Sequence, residues 1–226
     1  IFEDLPESAL RRADRAVRLF RRATDLDTNA GLGAADLLRA RAYRNGGRPR
    51  RSLASAQRAV RRARRAADRC LEAEALARLG ASHLDLSSPE EAELRLREAV
   101  LLSREIEFHR GEVIALAHLG ILAAESDRAD APKLIDTATK LAREVGLHRI
   151  EAIGLAIRAR IDQINGDSQR AAEGLERALW LLERYGAELV DRIVILSTQV
   201  VVLNALGQTE RARAVVKDLR KKMRRD

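Results

Sequence analysis

Arg58, Arg62, Arg65 and Arg69 recur at helical spacing along one face, with Arg61 and Arg64 beside them. Guanidinium forks bind phosphate bidentately, and nucleic-acid binding is driven largely by phosphate neutralisation. The patch Arg58, Arg61, Arg62, Arg65 and Arg69 is therefore a candidate surface for nucleic acid or for an acidic protein. No aromatic residue is interleaved with it, so stacking of exposed bases lacks its usual platform. A solvated basic face accounts for the same run.

Four histidines could ligate metal: His83, His109, His118 and His148. Metal binding needs several ligands converging on one point. His109 and His148 lie 39 residues apart in a repeating pattern, a full repeat from each other, so a turn role is expected and no metal. Cys70 is the single cysteine, with no His or Asp spaced to activate it; a small buried residue near a helix junction is expected. A lone thiol also suits a reducing, cytoplasmic compartment. Asn45-Gly46-Gly47 and Asn165-Gly166-Asp167 have neither the flanking strand nor the Lys-Ser/Thr of a phosphate loop. Glu90-Glu91 belongs to a helix start, and Trp180 and Tyr185 are expected in the core between repeats. No catalytic group and no cofactor site emerges, so the expectation is a chain that is not an enzyme.

The elements that carry these residues repeat. Leu102-Ser103-Arg104-Glu105-Ile106-Glu107-Phe108-His109-Arg110-Gly111-Glu112 returns as Leu141-Ala142-Arg143-Glu144-Val145-Gly146-Leu147-His148-Arg149-Ile150-Glu151, with six identities in eleven positions at an offset of 39. Self-similarity at such a period is the mark of a helical solenoid. Leu, Ala, Arg and Glu dominate the 226 residues, with four prolines and 3% aromatics, which is the composition of an all-α chain. No apolar run approaches the roughly 20 residues a membrane span needs. Ile1 stands where an initiator Met would, so sequence upstream is expected. Charge is segregated: residues 1–69 hold 18 Arg against 8 acidic residues, 70–210 hold 16 basic against 24 acidic, and 211–226 hold 8 basic against 2 acidic.

Apolar periodicity and turn residues predict helices over 5–25, 30–44, 49–68, 71–86, 89–107, 110–125, 131–145, 149–165, 168–185, 189–206 and 209–224. Ser88-Pro89-Glu90-Glu91 reads as a capping box with proline in the first turn. Short turns make neighbours antiparallel. The expected fold is an all-α, right-handed α-solenoid of about five antiparallel helix hairpins, period about 40, preceded by a half-repeat helix. The divisions are 1–28 for the half repeat, then 29–69, 70–108, 109–147, 148–187 and 188–226, one array without a linker.

Residues at matching places permit a family resemblance. First helices carry Leu76, Leu79 and Gly80, then Leu116, Leu119 and Gly120, then Leu155 and Ala159. Second helices carry Ala92, Leu96 and Ala99, then Ala171, Leu175 and Ala178, with Ala212 and Val216 continuing. This resembles the tetratricopeptide (TPR) family, in which small residues let paired helices approach closely. The repeat is near 40 residues rather than 34, the usual Pro after the second helix is absent, and Arg158 replaces a Leu. Such longer repeats are similar to those of bacterial multidomain regulators.

The resemblance implies a groove lined by first helices: Leu37, Arg41 and Arg44; Ala77, Ala81 and Asp85; Ala117, Ile121 and Glu125; Ala156, Arg160 and Gln163. The Lys/Asn set that clamps a peptide carboxylate in some relatives is not visible. It implies a non-catalytic protein-interaction scaffold or regulatory sensor domain, docking a protein, a peptide or a sister domain of the same polypeptide. Packing of that groove on a neighbouring domain, self-association, and nucleic acid on the arginine patch stay open beside it.

Overall fold

In a computed structural model, residues 6–22, 28–186 and 189–223 are described, and among them the chain is all-α. Eleven helices follow in order: α1 (Pro6–Arg22), α2 (Thr28–Asn45), α3 (Pro49–Arg65), α4 (Arg69–Leu84), α5 (Pro89–Glu105), α6 (His109–Glu125), α7 (Ala131–Glu144), α8 (His148–Ile164), α9 (Ser168–Tyr185), α10 (Leu189–Ala205) and α11 (Thr209–Met223). Two compact units result, Ile1–Leu122 and Ala123–Asp226, and their division falls inside α6. Parts of the expected first helix, including Ala23, lie outside the described residues.

The turns show why the helices stop where they do. After α2, the Arg48 N–H reaches the Tyr43 carbonyl at 2.8 Å and the Gly47 N–H reaches Arg44 at 3.1 Å. After α7, Leu147 bonds Ala142 at 2.8 Å and Gly146 bonds Arg143 at 3.2 Å. This paired bonding satisfies the last carbonyls of a helix and needs one left-handed residue. Gly47, Gly146, Gly166 and Gly207 supply it, but Ala67, Ser87, Glu107 and Asp127 hold the same place at φ of 50–55°. Ala67, inside the expected third helix over 49–68, therefore sits exposed in a turn. Ala67→Gly is expected to stabilise the protein by about 0.5–1 kcal/mol, since only a Cβ clash is removed. A lowered urea midpoint would contradict that.

Helix starts are less uniform. Asp68 accepts the Leu71 N–H at 2.9 Å and Asp167 accepts that of Arg170 at 3.1 Å, two side-chain caps. Ser88 occupies the N-cap of α5 but makes no side-chain cap bond, so the capping box is not formed. Pro89 in the first turn, preset in φ, starts that helix instead.

Alanine makes the core thin. In the first unit Ala56, Ala59, Ala63, Ala73, Ala77, Ala92 and Ala99 are fully buried around Leu76, Leu79 and Leu96. In the second unit Ala152, Ala156, Ala159, Ala171 and Ala178 pack with Leu175, Leu181, Leu182, Ile195 and Val202. Consecutive helices pack pairwise, α1 to α5 in one unit and α7 to α11 in the other. First helices of neighbouring hairpins also touch, α2 with α4 and α8 with α10. Within each unit they form a row whose outer surface is the candidate groove.

The repeated stretch that marks the sequence has a structural meaning. Arg104 Nε meets Glu112 at 2.6 Å and Arg143 Nε meets Glu151 at 2.9 Å, each across the turn joining one hairpin to the next. Arg64 and Glu72 make the same contact at 2.6 Å one repeat earlier. Each clamp joins residues eight apart, so the αL turn between them sets its geometry. Arg104 is half exposed, so Arg104→Ala is expected to cost only about 0.2–1 kcal/mol by urea denaturation. At the fourth junction Glu183 takes the arginine's register, and Asp191 pairs with Arg149 at 3.2 Å instead.

Candidate functional site

Small side chains on the first helices open room for larger polar ones. In the first unit Ala77 and Ala81 of α4 are fully buried, and Ala117 of α6 is half-buried beside Ile121. Over this low floor Arg44, at the end of α2, reaches Asp85 just past the end of α4. Its Nε lies 2.7 Å from Oδ2 and its Nη2 lies 3.0 Å from Oδ1, a bidentate fork. Arg44 Nη1 also stands 3.5 Å from Nε2 of His118 on α6. Residues from three successive first helices thus meet on one surface.

His118 is held neutral. Its Nδ1 lies 2.8 Å from the Ile114 carbonyl, which can only accept, so the proton is on Nδ1 and the Nε2 lone pair faces Arg44. Desolvation first, then the charges of Arg44 and Arg78, bring its pKa down to about 3. The sign follows by linkage. The unfolded imidazole takes a proton near pH 6.5 and the folded one does not, so stability falls as pH drops through that value toward about 3. His118→Gln is expected to flatten the loss of urea stability between about pH 7 and about pH 4.5 relative to the parent protein. Parallel curves would remove His118 from the acid response.

The remaining groove residues fall as follows. Leu37 and Arg41 are half-buried on α2, and Arg41 is itself engaged. Glu125 is exposed at the end of α6, on the second-unit side of the division. On α8, Ala156 is fully buried, Gln163 half-buried and Arg160 exposed. Arg44 and Asp85 are brought together, while Ala77 and Ala156 are floor rather than contact surface.

The arginine patch is largely spoken for. Arg58 Nε lies 3.2 Å from Oδ1 of Asp36, Arg62 bonds Asp36 Oδ2 and also the Leu32 carbonyl at 3.1 Å, and Arg69 pairs with Glu105 at 2.6 Å. Arg61 and Arg65 remain exposed. Asp36 is fully buried, and Arg39 approaches it as well at 3.5 Å. The run that reads as a basic face in sequence is in good part a wall around one carboxylate.

Two expectations of burial are corrected. Cys70 is exposed in the first turn of α4. Trp180 and Tyr185 are 46% and 51% exposed rather than in the core. The core positions beside them are taken by Leu181 and Leu182, which turns Trp180 outward. Tyr185 stacks on His148 with ring centroids 3.9 Å apart, Trp180 meets Tyr185 edge-on at 6.2 Å, and Arg177 lies 4.5 Å over the Trp180 ring. His148 and its repeat mate His109 each open a helix, and no group of three His, Cys, Asp or Glu among the described residues could hold a metal ion. No described helix is long and apolar enough to cross a membrane.

The sequence matches no protein-family model and no curated protein. Its fold is found in solved structures. It is similar to BtubC from P. vanneervenii at 18% identity and a TM-score of 0.71, over 98% of this chain and 93% of that one. A Rap protein complexed with competence and sporulation factor matches at 19% identity and a TM-score of 0.70, over 99% of this chain and 66% of that one. The kinesin light chain TPR-like repeats of P. anserina match at 16% identity and a TM-score of 0.57, over 85% of this chain and 96% of that one. The fold is a TPR-like all-α solenoid.

Proposed function

We propose that the chain is a non-catalytic recognition segment, a scaffold or regulatory sensor within a larger bacterial signalling protein, which docks a protein or peptide along the first-helix face. One observation carries this reading. Arg44 on α2 pairs with Asp85, just past the end of α4, and stands 3.5 Å from His118 on α6, so polar groups from three successive repeats come together on the first-helix face. Such a surface orients a partner through polar contacts, while the half-buried groove residues Leu37 and Ile121 offer apolar contact. The Rap protein complexed with competence and sporulation factor supports it as an example of a similar fold holding a bound factor.

Crosslinking of tagged protein, read by mass spectrometry, tests the reading. Ile121→Glu and Arg160→Glu alter the face in each unit without touching a buried ion pair, and at least one is expected to lose the partners of the parent protein by tenfold or so, the effect of removing a contact of about 1.4 kcal/mol. If both variants keep every crosslink, the face is not the docking surface. Arg61 and Arg65 are the part of the arginine patch left for nucleic acid. DNA or RNA binding that falls steeply between about 50 and 200 mM salt and is lost in Arg61→Glu/Arg65→Glu would replace the proposal.

A further inference from the structure

We infer a second docking surface, on the second-helix side of the unit Ala123–Asp226, that takes an acidic protein segment. It is built from Arg143, His148, Arg177, Trp180 and Tyr185 around the buried carboxylate of Glu151. Arg143 Nε and Arg177 Nη2 come from different helices, α7 and α9, and reach the same oxygen, Glu151 Oε1, at 2.9 and 3.7 Å. That carboxylate is wholly buried, while the two arginine side chains are 57% and 47% exposed. One buried negative charge is thus set against two exposed guanidiniums held close together, and one positive charge remains at the surface.

Beside them stands aromatic surface in a chain with little of it. Trp180 is the one tryptophan, Tyr185 is one of two tyrosines, and both lie about half exposed in mutual contact. Tyr185 is held against His148, whose Nδ1 faces the other Glu151 oxygen at 3.6 Å. Arg177 lies over Trp180, so the same guanidinium serves the carboxylate and the indole. Tryptophan, tyrosine and arginine are the residues most enriched at binding hot spots, and here they are pre-ordered by ring contacts and ion pairs before a partner arrives. A carboxylate bridging Arg143 and Arg177, with its apolar stem on Trp180 and Tyr185, is the complement of this arrangement.

Trp180 is its own reporter. Its emission is followed while octaglutamate is added at low salt, with octaglutamine as the neutral control. The local signal separates this surface from binding at the arginine-rich helices of the other unit. Octaglutamate is expected to shift the emission saturably and octaglutamine is not. Arg143→Ala and Tyr185→Leu are each expected to weaken the effect about tenfold, the loss of one charge-assisted contact or one aromatic anchor. Tyr185→Leu leaves both guanidiniums and Glu151 in place, so it stands as the test should Arg143→Ala fail to fold. Arg44→Glu, on the first-helix face, is expected to leave the titration unchanged, which keeps this result separate from that of the proposed function. The inference is overturned by an equal response to octaglutamine or by an unchanged titration in Tyr185→Leu. It is also overturned if an oligonucleotide or an anionic phosphatidylserine vesicle displaces the peptide preferentially, or if light scattering shows a dimer that Tyr185→Leu dissolves.

Discussion

Asp36→Ala is expected to cost about 3–5 kcal/mol, the effect of removing one partner from a buried ionic group. The register of the repeats explains the size. Asp36 holds the place that Leu76, Leu116 and Leu155 hold in the following first helices, and Arg39 holds that of Leu79 and Leu119. Where later repeats bury leucine, the first buries a carboxylate with no exposed surface, satisfied by Arg39 at 3.5 Å, Arg58 at 3.2 Å and Arg62. Removing the carboxylate leaves the guanidiniums of Arg58 and Arg62 without their anion, while Arg39 keeps its bond to Asp14 at 2.7 Å. Asp36→Leu alone is expected to be nearly as costly for the same reason. Asp36→Leu with Arg39→Leu restores the apolar pair of the later repeats but leaves Arg58 and Arg62 without their anion, so it is expected to recover only part of the loss. Urea unfolding measures the totals, and hydrogen exchange shows whether the loss is confined to α2 and α3, as nearest-neighbour stability in a repeat array implies. A cost below about 1 kcal/mol for Asp36→Ala would show that water reaches the cluster.

Gly80→Ala is expected to destabilise by about 1–3 kcal/mol although alanine is the better helix former by about 1 kcal/mol. A Cβ on Gly80 would stand 2.6 Å from Leu96 Cγ, 2.8 Å from its Cδ2 and 3.1 Å from the Ala92 carbonyl oxygen. Leu96 is fully buried and cannot swing aside, so α4 and α5 must separate. The inverted sign makes the experiment decisive. In the double variant Gly80→Ala/Leu96→Ala the new methyl enters the space the leucine leaves, so the two losses should add to less than their sum. Additive losses, or a stabilised Gly80→Ala, would mean that the helices are not in contact at this point.

The sequence by itself determined the periodic and the local. Helix bounds, the glycine turns at Gly47 and Gly166, and the Leu-Gly and Ala-Leu-Ala series follow from spacing within one helix or one turn. Each is a short-range property that a 3.6-residue period or a φ preference encodes directly. The clamp Arg104–Glu112 was visible as repeated letters, and its earlier copy Arg64–Glu72 could have been found by asking for Arg and Glu eight apart. Other features needed the fold. Periodicity says which face of a helix a side chain occupies, but not what stands opposite it. Arg58 and Arg62 read as a free basic face until α2 sets Asp36 before them, more than twenty residues away in the chain. Cys70, Trp180 and Tyr185 read as buried until neighbouring leucines and the helix ends leave them outside. In the sequence His118 is one of four histidines that could ligate metal; the fold buries it and sets Arg44, 74 residues earlier, and Arg78 against it. Burial and charge pairing belong to surfaces that meet between helices, and only the tertiary structure decides which surfaces meet.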